Sequence, residues 1–276
     1  MSRQVIEPLT PAARLSFSVR DAVTVTRRFV LREIQNPQSI ILGMIMPVFM
    51  IVLFVYVFGS SITVPGGHYR SYLMSGMFAQ GTVFSIGAVA VAVAADMREG
   101  VIARFKTMPI ARSSVLVGRS IATIITSIPG LTVMTVSAYV VGWRPLGGVG
   151  DTIGAFALLF LFGWAMRWIG AAIGLFASGP ESANQLTVLP ALLLGFVSNV
   201  FVDPARMPAW LRVVADWNPV SAVAAAARQL FRTGQASTPS NVWTLQHPVI
   251  TTVAMAALLV AVVAPLAVRR YSRTGR

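Results

Sequence analysis

Cysteine is absent from the 276 residues, which excludes disulfides and thiolate metal sites. Histidine occurs twice, at His68 and His247. The two are far apart in the chain and read as polar residues of outer loops. A metal site needs several convergent ligands, so none is expected. Only 9 residues are acidic, and none falls within the long apolar stretches described below. Ion-driven carriers use acidic groups inside the membrane, so their chemistry is missing. No GxxxxGKS/T run exists, and the single lysine, Lys106, follows Phe105 rather than a glycine-rich loop. The chain is therefore not expected to bind nucleotide by that route. HExxH and GxSxG are missing too, which leaves no protease or esterase chemistry. No catalytic residue is assigned, and no cofactor is expected in this chain.

Charge of any kind is scarce, at 11% of residues against the roughly 25% of a soluble domain. Hydrophobic residues make up 55% and the mean hydropathy is +0.72, which is the composition of a membrane protein. Six stretches approach the ~20 residues needed to cross a bilayer as a helix. They are Ser39–Phe58, Tyr72–Ala95, Ile121–Val141, Ile153–Ala177, Ala183–Val202 and Val249–Val268. The expected fold is all-α and integral to the membrane.

The net charge is +13, and the cations flank the apolar runs. With the N-terminus inside, 15 Lys and Arg fall on the inner side and 6 on the outer. That bias puts both termini in the cytoplasm. The outer set is Arg70, Arg144, Arg206, Arg212, Arg228 and Arg232. Residues 1–36 form a cytoplasmic N-terminus, polar and basic, without the apolar core of a cleavable leader. Residues 37–268 form the transmembrane domain, and 269–276 a basic tail.

Two segments stand out as basic amphipathic helices. In Ser18–Gln35, Val19, Ala22, Val23, Phe29, Val30 and Ile34 share one face, with Arg20, Arg27, Arg28 and Arg32 toward the other. Such a helix tends to lie in the membrane interface, the alternative being an orientation signal only, and Asn36-Pro37 ends it. The loop 96–119 carries Arg98, Glu99, Arg104, Lys106, Arg112 and Arg119 beside Val101, Ile102, Phe105 and Met108 at helical spacing. It reads as a cytoplasmic docking element. In the outer connection, Met207–Ala215 and Val220–Phe231 are helix-like and joined through Asn218-Pro219, a turn signal. With Trp210 and Trp217 they suit the outer interface, as a re-entrant pair over 207–233.

Arg167 lies near the middle of the fourth stretch, beside Trp164 and Trp168. A mid-membrane arginine costs at least ~2.5–3.5 kcal/mol, so it should face the bundle interior, a wet cavity or an acidic partner; contact with cargo and a snorkelling or internally satisfied arginine are the two readings. Asn199 is one available polar partner. Pro47, Pro129-Gly130 and Pro190 interrupt three of the stretches. Gly76, Gly81, Gly87, Gly163, Gly170 and Gly174 permit close helix approach.

The order of several motifs resembles the ABC type-2 exporter permeases of the daunorubicin-resistance type. These are Arg32-Glu33-Ile34-Gln35-Asn36-Pro37, Met46-Pro47, Tyr56-Val57-Phe58-Gly59, and the run from Gly100 to Ser113 continuing to Gly118-Arg119. Ser178–Gln185 with Pro180-Glu181, Ser198-Asn199-Val200-Phe201-Val202, Met207-Pro208-Ala209-Trp210-Leu211 and Trp217-Asn218-Pro219-Val220-Ser221 complete the set. The resemblance implies six transmembrane helices, an N-terminal in-plane helix, a cytoplasmic coupling helix and an outer re-entrant pair. It implies a half-transporter that pairs with a second permease, identical or paralogous, and with two ATP-binding subunits that hold ATP and Mg. Residues expected at the ATPase contact are Arg98, Glu99, Val101, Ile102, Arg104, Phe105, Lys106, Met108, Arg27, Arg28 and Glu181. Arg167, Asn199, Trp164 and Trp168 are expected along the substrate path. Arg167 departs from the family pattern, where a small or hydroxylated residue is usual. The expected cargo is a drug, a hydrophobic small molecule or a lipid, carried out across a bacterial cell membrane. A lipid-linked glycan is the alternative cargo. A non-transporting scaffold or sensor subunit is the alternative role.

Overall fold

The computed structural model describes residues 37–57, 59, 69–99, 112–204, 207–233 and 242–273, with separate positions between 23 and 35. Every regular element among them is helical. In chain order these are α1 (Pro37–Val52), running into a π-helical turn at Leu53–Val57, α2 (Tyr69–Arg98), α3 (Arg112–Val140), α4 (Val149–Phe176) and α5 (Pro180–Phe196). There follow α6 (Ala209–Trp217), α7 (Pro219–Phe231), the short α8 (Trp243–Gln246) and α9 (Pro248–Arg273).

Three helices are long and apolar enough to cross a membrane: Tyr69–Arg98, Val149–Phe176 and Pro248–Arg270. Met44–Val57 and Ile124–Val140 are shorter apolar helices. The outward surface is itself apolar. Ile41, Phe49, Leu189, Leu193, Leu258 and Leu266 are each more than half exposed. Water would not tolerate so much apolar surface, whereas lipid solvates it.

The most enclosed of the three apolar helices is α2. It packs along α4, α5 and α7, and α9 closes the far side of α4. Glycine brings α4 close: a Cβ at Gly170 would strike the Ile86 carbonyl of α2. One end of the core is aromatic. Phe78, Trp143, Phe156 and Phe231 meet edge-on or tilted, with ring centroids 5.1–6.0 Å apart. Meanwhile α1 pairs mainly with α3 and touches α2 only lightly. Space therefore remains between the α1–α3 pair and the rest of the bundle.

Two expected boundaries shift. The third apolar stretch was read from Ile121, but α3 begins at Arg112. The fifth was read to Val202, but α5 ends at Phe196. There the Asn218 side-chain amide donates to the Leu194 and Val197 carbonyls, taking up groups that a continuing helix would have bonded.

Candidate functional site

The space beside α1 and α3 forms two adjoining cavities. The first, about 440 Å³, lies among α1, α2, α3 and α4. Its wall is mainly Met, Phe, Leu and small residues, with Thr82, Ser85 and Ser127 as hydroxyl carriers and Arg167 as its one charged side chain. The second, about 740 Å³, lies among α1, α2 and α5, with Met134 reaching in from α3. Met46, Pro47, Gly81, Phe84, Ala88 and Met134 belong to both. Volumes of 300–1,000 Å³ with apolar walls and few polar groups are the dimensions of small-molecule sites.

The helix breaks bear on these cavities. Pro47 lines both, and Gly130, next to Pro129, lines the first. Proline removes a backbone bond from its helix, and glycine leaves the wall open.

Arg167 thus sits at a cavity wall, half-buried. Trp164 and Trp168 are one turn apart on α4, as an edge-on pair with centroids 6.3 Å apart. Neither belongs to the two cavity walls. Trp168 packs instead with Val89, Val93, Leu175 and Ala267. Asn199 is also elsewhere, in the turn after α5. Its backbone N–H donates to the Ser221 hydroxyl at 3.0 Å and its side-chain amide to the Ser221 carbonyl at 3.2 Å.

That turn is the second polar centre, and sequence reasoning missed its key residue. Arg228 was counted as an outer-loop cation, yet its side chain is only 2% exposed. Its guanidinium lies 3.6 Å from the centroid of the Tyr72 ring. Nε donates to the Tyr72 carbonyl at 3.2 Å and an Nη to the Asn199 carbonyl at 2.7 Å. The Tyr72 hydroxyl donates to the same Asn199 carbonyl, also at 2.7 Å. Three chain segments, α2, the 199–200 turn and α7, are stapled by one side chain. The available signal was the alanine-rich run Val220–Phe231, whose face continues through position 228.

Asn218 and Pro219, read as a turn, begin α7 in the standard way. The Asn218 Oδ1 accepts from the Val220 N–H at 2.8 Å, an N-cap, and Pro219 takes the first helical position. The same Asn218 holds the end of α5, so the α6–α7 corner is fixed to the bundle. On α6, burial raises the Asp216 carboxyl above its ordinary value of 3.8, with Arg212 opposing the shift and Asp203 adding to it.

Of the expected ATPase contacts, Arg98 ends α2 and Glu99 follows it in a turn; both are exposed, as is Arg27. Glu181 is exposed in the first turn of α5, where the helix dipole favours an anion. Arg28, Val101, Ile102, Arg104, Phe105, Lys106 and Met108 lie outside the described residues. Among the described residues no group of three metal-ligating side chains occurs.

Among the described residues the regular elements are all helical, the surface is apolar and cavities lie between the helices; comparison supplies the family. Residues 20–231 match the model of the ABC-2 type transporter, and the chain belongs to that family. A relative is the daunorubicin resistance ABC transporter permease protein of Streptomyces coeruleorubidus. It is 31% identical over 235 residues, covering 85% of this chain and 80% of that protein. The chain is accordingly an efflux-type ABC transporter permease of the membrane.

Proposed function

We propose that this chain is the permease subunit of an ATP-driven exporter that moves a hydrophobic small molecule, drug or lipid from the cytoplasm or inner leaflet. The observation that carries this reading is the pair of apolar cavities beside Pro47, with Arg167 at one wall. An amphipathic molecule fits an apolar space with one cation at its edge, and the similarity to a daunorubicin resistance permease favours the same cargo class.

In this reading the six spans are α1 with its π turn, α2, α3, α4, α5 and α9, and α6 with α7 form the outer re-entrant pair. Both termini face the cytoplasm of a bacterial cell. ATP and Mg reside in two copies of a separate ATP-binding subunit, and a second permease completes the path. The loop 96–119 is the coupling element. Val101, Ile102, Phe105 and Met108 enter an apolar cleft on the ATPase, while Arg98, Arg104 and Lys106 meet acidic rims and Glu99 and Glu181 complete the contact. Arg27 and Arg28 on the in-plane helix provide the second contact. Closure of the ATPases moves these elements, and the loosely held α1–α3 pair shifts against α2 and α4. The cavities then open toward the outer side.

The test is flux in inside-out vesicles that contain the chain and its co-purifying ATPase. ATP should drive uptake of daunorubicin, and vanadate should abolish it. ATP-independent uptake that follows an ion gradient, or no uptake of any amphipathic drug or lipid probe, overturns the reading.

A further inference from the structure

We propose that Gln80 selects the cargo. Its amide turns from a notch at Gly195 into the larger cavity and grips a neighbouring hydrogen-bond donor and acceptor on an otherwise apolar molecule. This rests on the exporter reading above and names the chemical class of its substrate.

Gln80 projects from α2 and is 2% exposed. Neither atom of its amide has a hydrogen-bond partner among the described residues. Leaving a buried amide unpaired costs free energy that an apolar residue of similar size would not. A purely structural glutamine would bond across to another helix, and none of the described residues bonds this one.

The head of Gln80 fills the space that a side chain on α5 would occupy. A Cβ at Gly195 would overlap both amide atoms. Glycine at 195 is what makes room for the amide, so the notch and the glutamine are one arrangement across the α2–α5 contact. Gln80 also lines the 740 Å³ cavity, where Met77, Phe84, Leu192 and Phe201 make much of the apolar wall and Asn184 and Thr187 are the other polar side chains. A polar group is thus stored beside an apolar space. Turning it inward breaks no hydrogen bond to any described residue.

A primary amide presents an NH₂ donor and a carbonyl acceptor side by side. Its complement is a hydroxyl next to a carbonyl, or another amide. Sites built to bond a polar group discriminate far more sharply than apolar pockets do, so one glutamine is enough to choose among greasy molecules of equal size.

The experiment is a fluorescence titration of the chain in lipid nanodiscs, corrected with empty nanodiscs. The probes are daunorubicin, which carries hydroxyls beside quinone carbonyls, and pyrene, which has no hydrogen-bonding atom. Gln80→Leu should raise the daunorubicin Kd about tenfold while pyrene changes by less than about twofold. Unchanged pyrene binding also certifies that the variant is folded. Gly195→Ala should expel the amide into the cavity, leaving daunorubicin binding at least as tight and weakening pyrene. The proposal is overturned if Gln80→Leu changes neither probe or weakens both alike. It is also overturned, alone, if the wild-type chain binds pyrene but not daunorubicin. Binding of neither probe overturns this inference, while the exporter reading stands or falls on ATP-driven flux in vesicles.

Discussion

The Arg228 guanidinium lies over the ring of Tyr72, 3.6 Å from its centroid, and donates to the Tyr72 carbonyl of the same residue. One residue of α2 thereby receives both a cation–π contact and a hydrogen bond from α7. A desolvated cation–π contact is worth ~2 kcal/mol or more, and hydrogen bonds from a charged donor roughly 1.5–3 kcal/mol each. Replacing Arg228 with Met should destabilise the folded chain by roughly 3 kcal/mol after the relief of burying a charge is subtracted. Arg228→Lys should fall between, since an ammonium cannot span the Tyr72 and Asn199 carbonyls as a planar fork does. Thermal unfolding in detergent reads the order, and a Met variant that melts with the wild type would remove the staple role.

Asn218 caps α7 with its oxygen and ties the end of α5 with its nitrogen. Asn218→Ala should cost about 1–3 kcal/mol, a cap plus two lost donations. Asn218→Asp is the more telling change. Aspartate is as good an N-cap as asparagine, but here its second oxygen faces the Leu194 and Val197 carbonyls. It should be at least as damaging as alanine in the same unfolding assay. Rescue by aspartate would show that only the cap matters.

Replacing both Phe105 and Met108 with aspartate should release the ATP-binding subunit during co-purification, because two carboxylates cannot enter an apolar cleft. Neutralising Arg98 should instead leave a complex whose association rate is less sensitive to salt. If the doubly substituted chain retains its ATPase and normal stimulated hydrolysis, docking occurs elsewhere.

Arg167→Ala should lower flux of polar or anionic amphipaths at matched expression and spare neutral apolar ones. Arg167→Lys should keep part of the activity, since the charge remains while the fork is lost. Undiminished export of every probe by the alanine variant would leave Arg167 with a structural role.

Much of the fold was legible because membrane helices are written in one variable, apolar length. The cores of α2, α4 and α9 follow directly from it. Asn218-Pro219 was legible as a break because proline at the first helical position and asparagine before it act locally. The ends of α3 and α5 were not, because they depend on contacts with distant segments. The α5 terminus stops where Asn218, 21 residues beyond Val197, takes its last carbonyls. Arg167 announced itself by sitting mid-stretch among apolar neighbours. Gln80 sits in an apolar stretch too, but it is neutral, and its missing partners depend on which helix faces it.

Composition and charge pattern alone determined that this chain is a helical membrane protein with no thiol and no GxxxxGKS/T, HExxH or GxSxG run, since these are statements about residue types and their order. The tertiary structure decided which polar residues are paired and which are not. Arg228 is enclosed because the buried face of its helix carries it against Tyr72 and the 199–200 turn, and the amide of Gln80 has no partner among the described residues although its sequence gives no hint of that. Pairing is a property of three-dimensional neighbours, and in an interior of low dielectric it sets whether a polar group holds the fold together or remains free to meet a ligand.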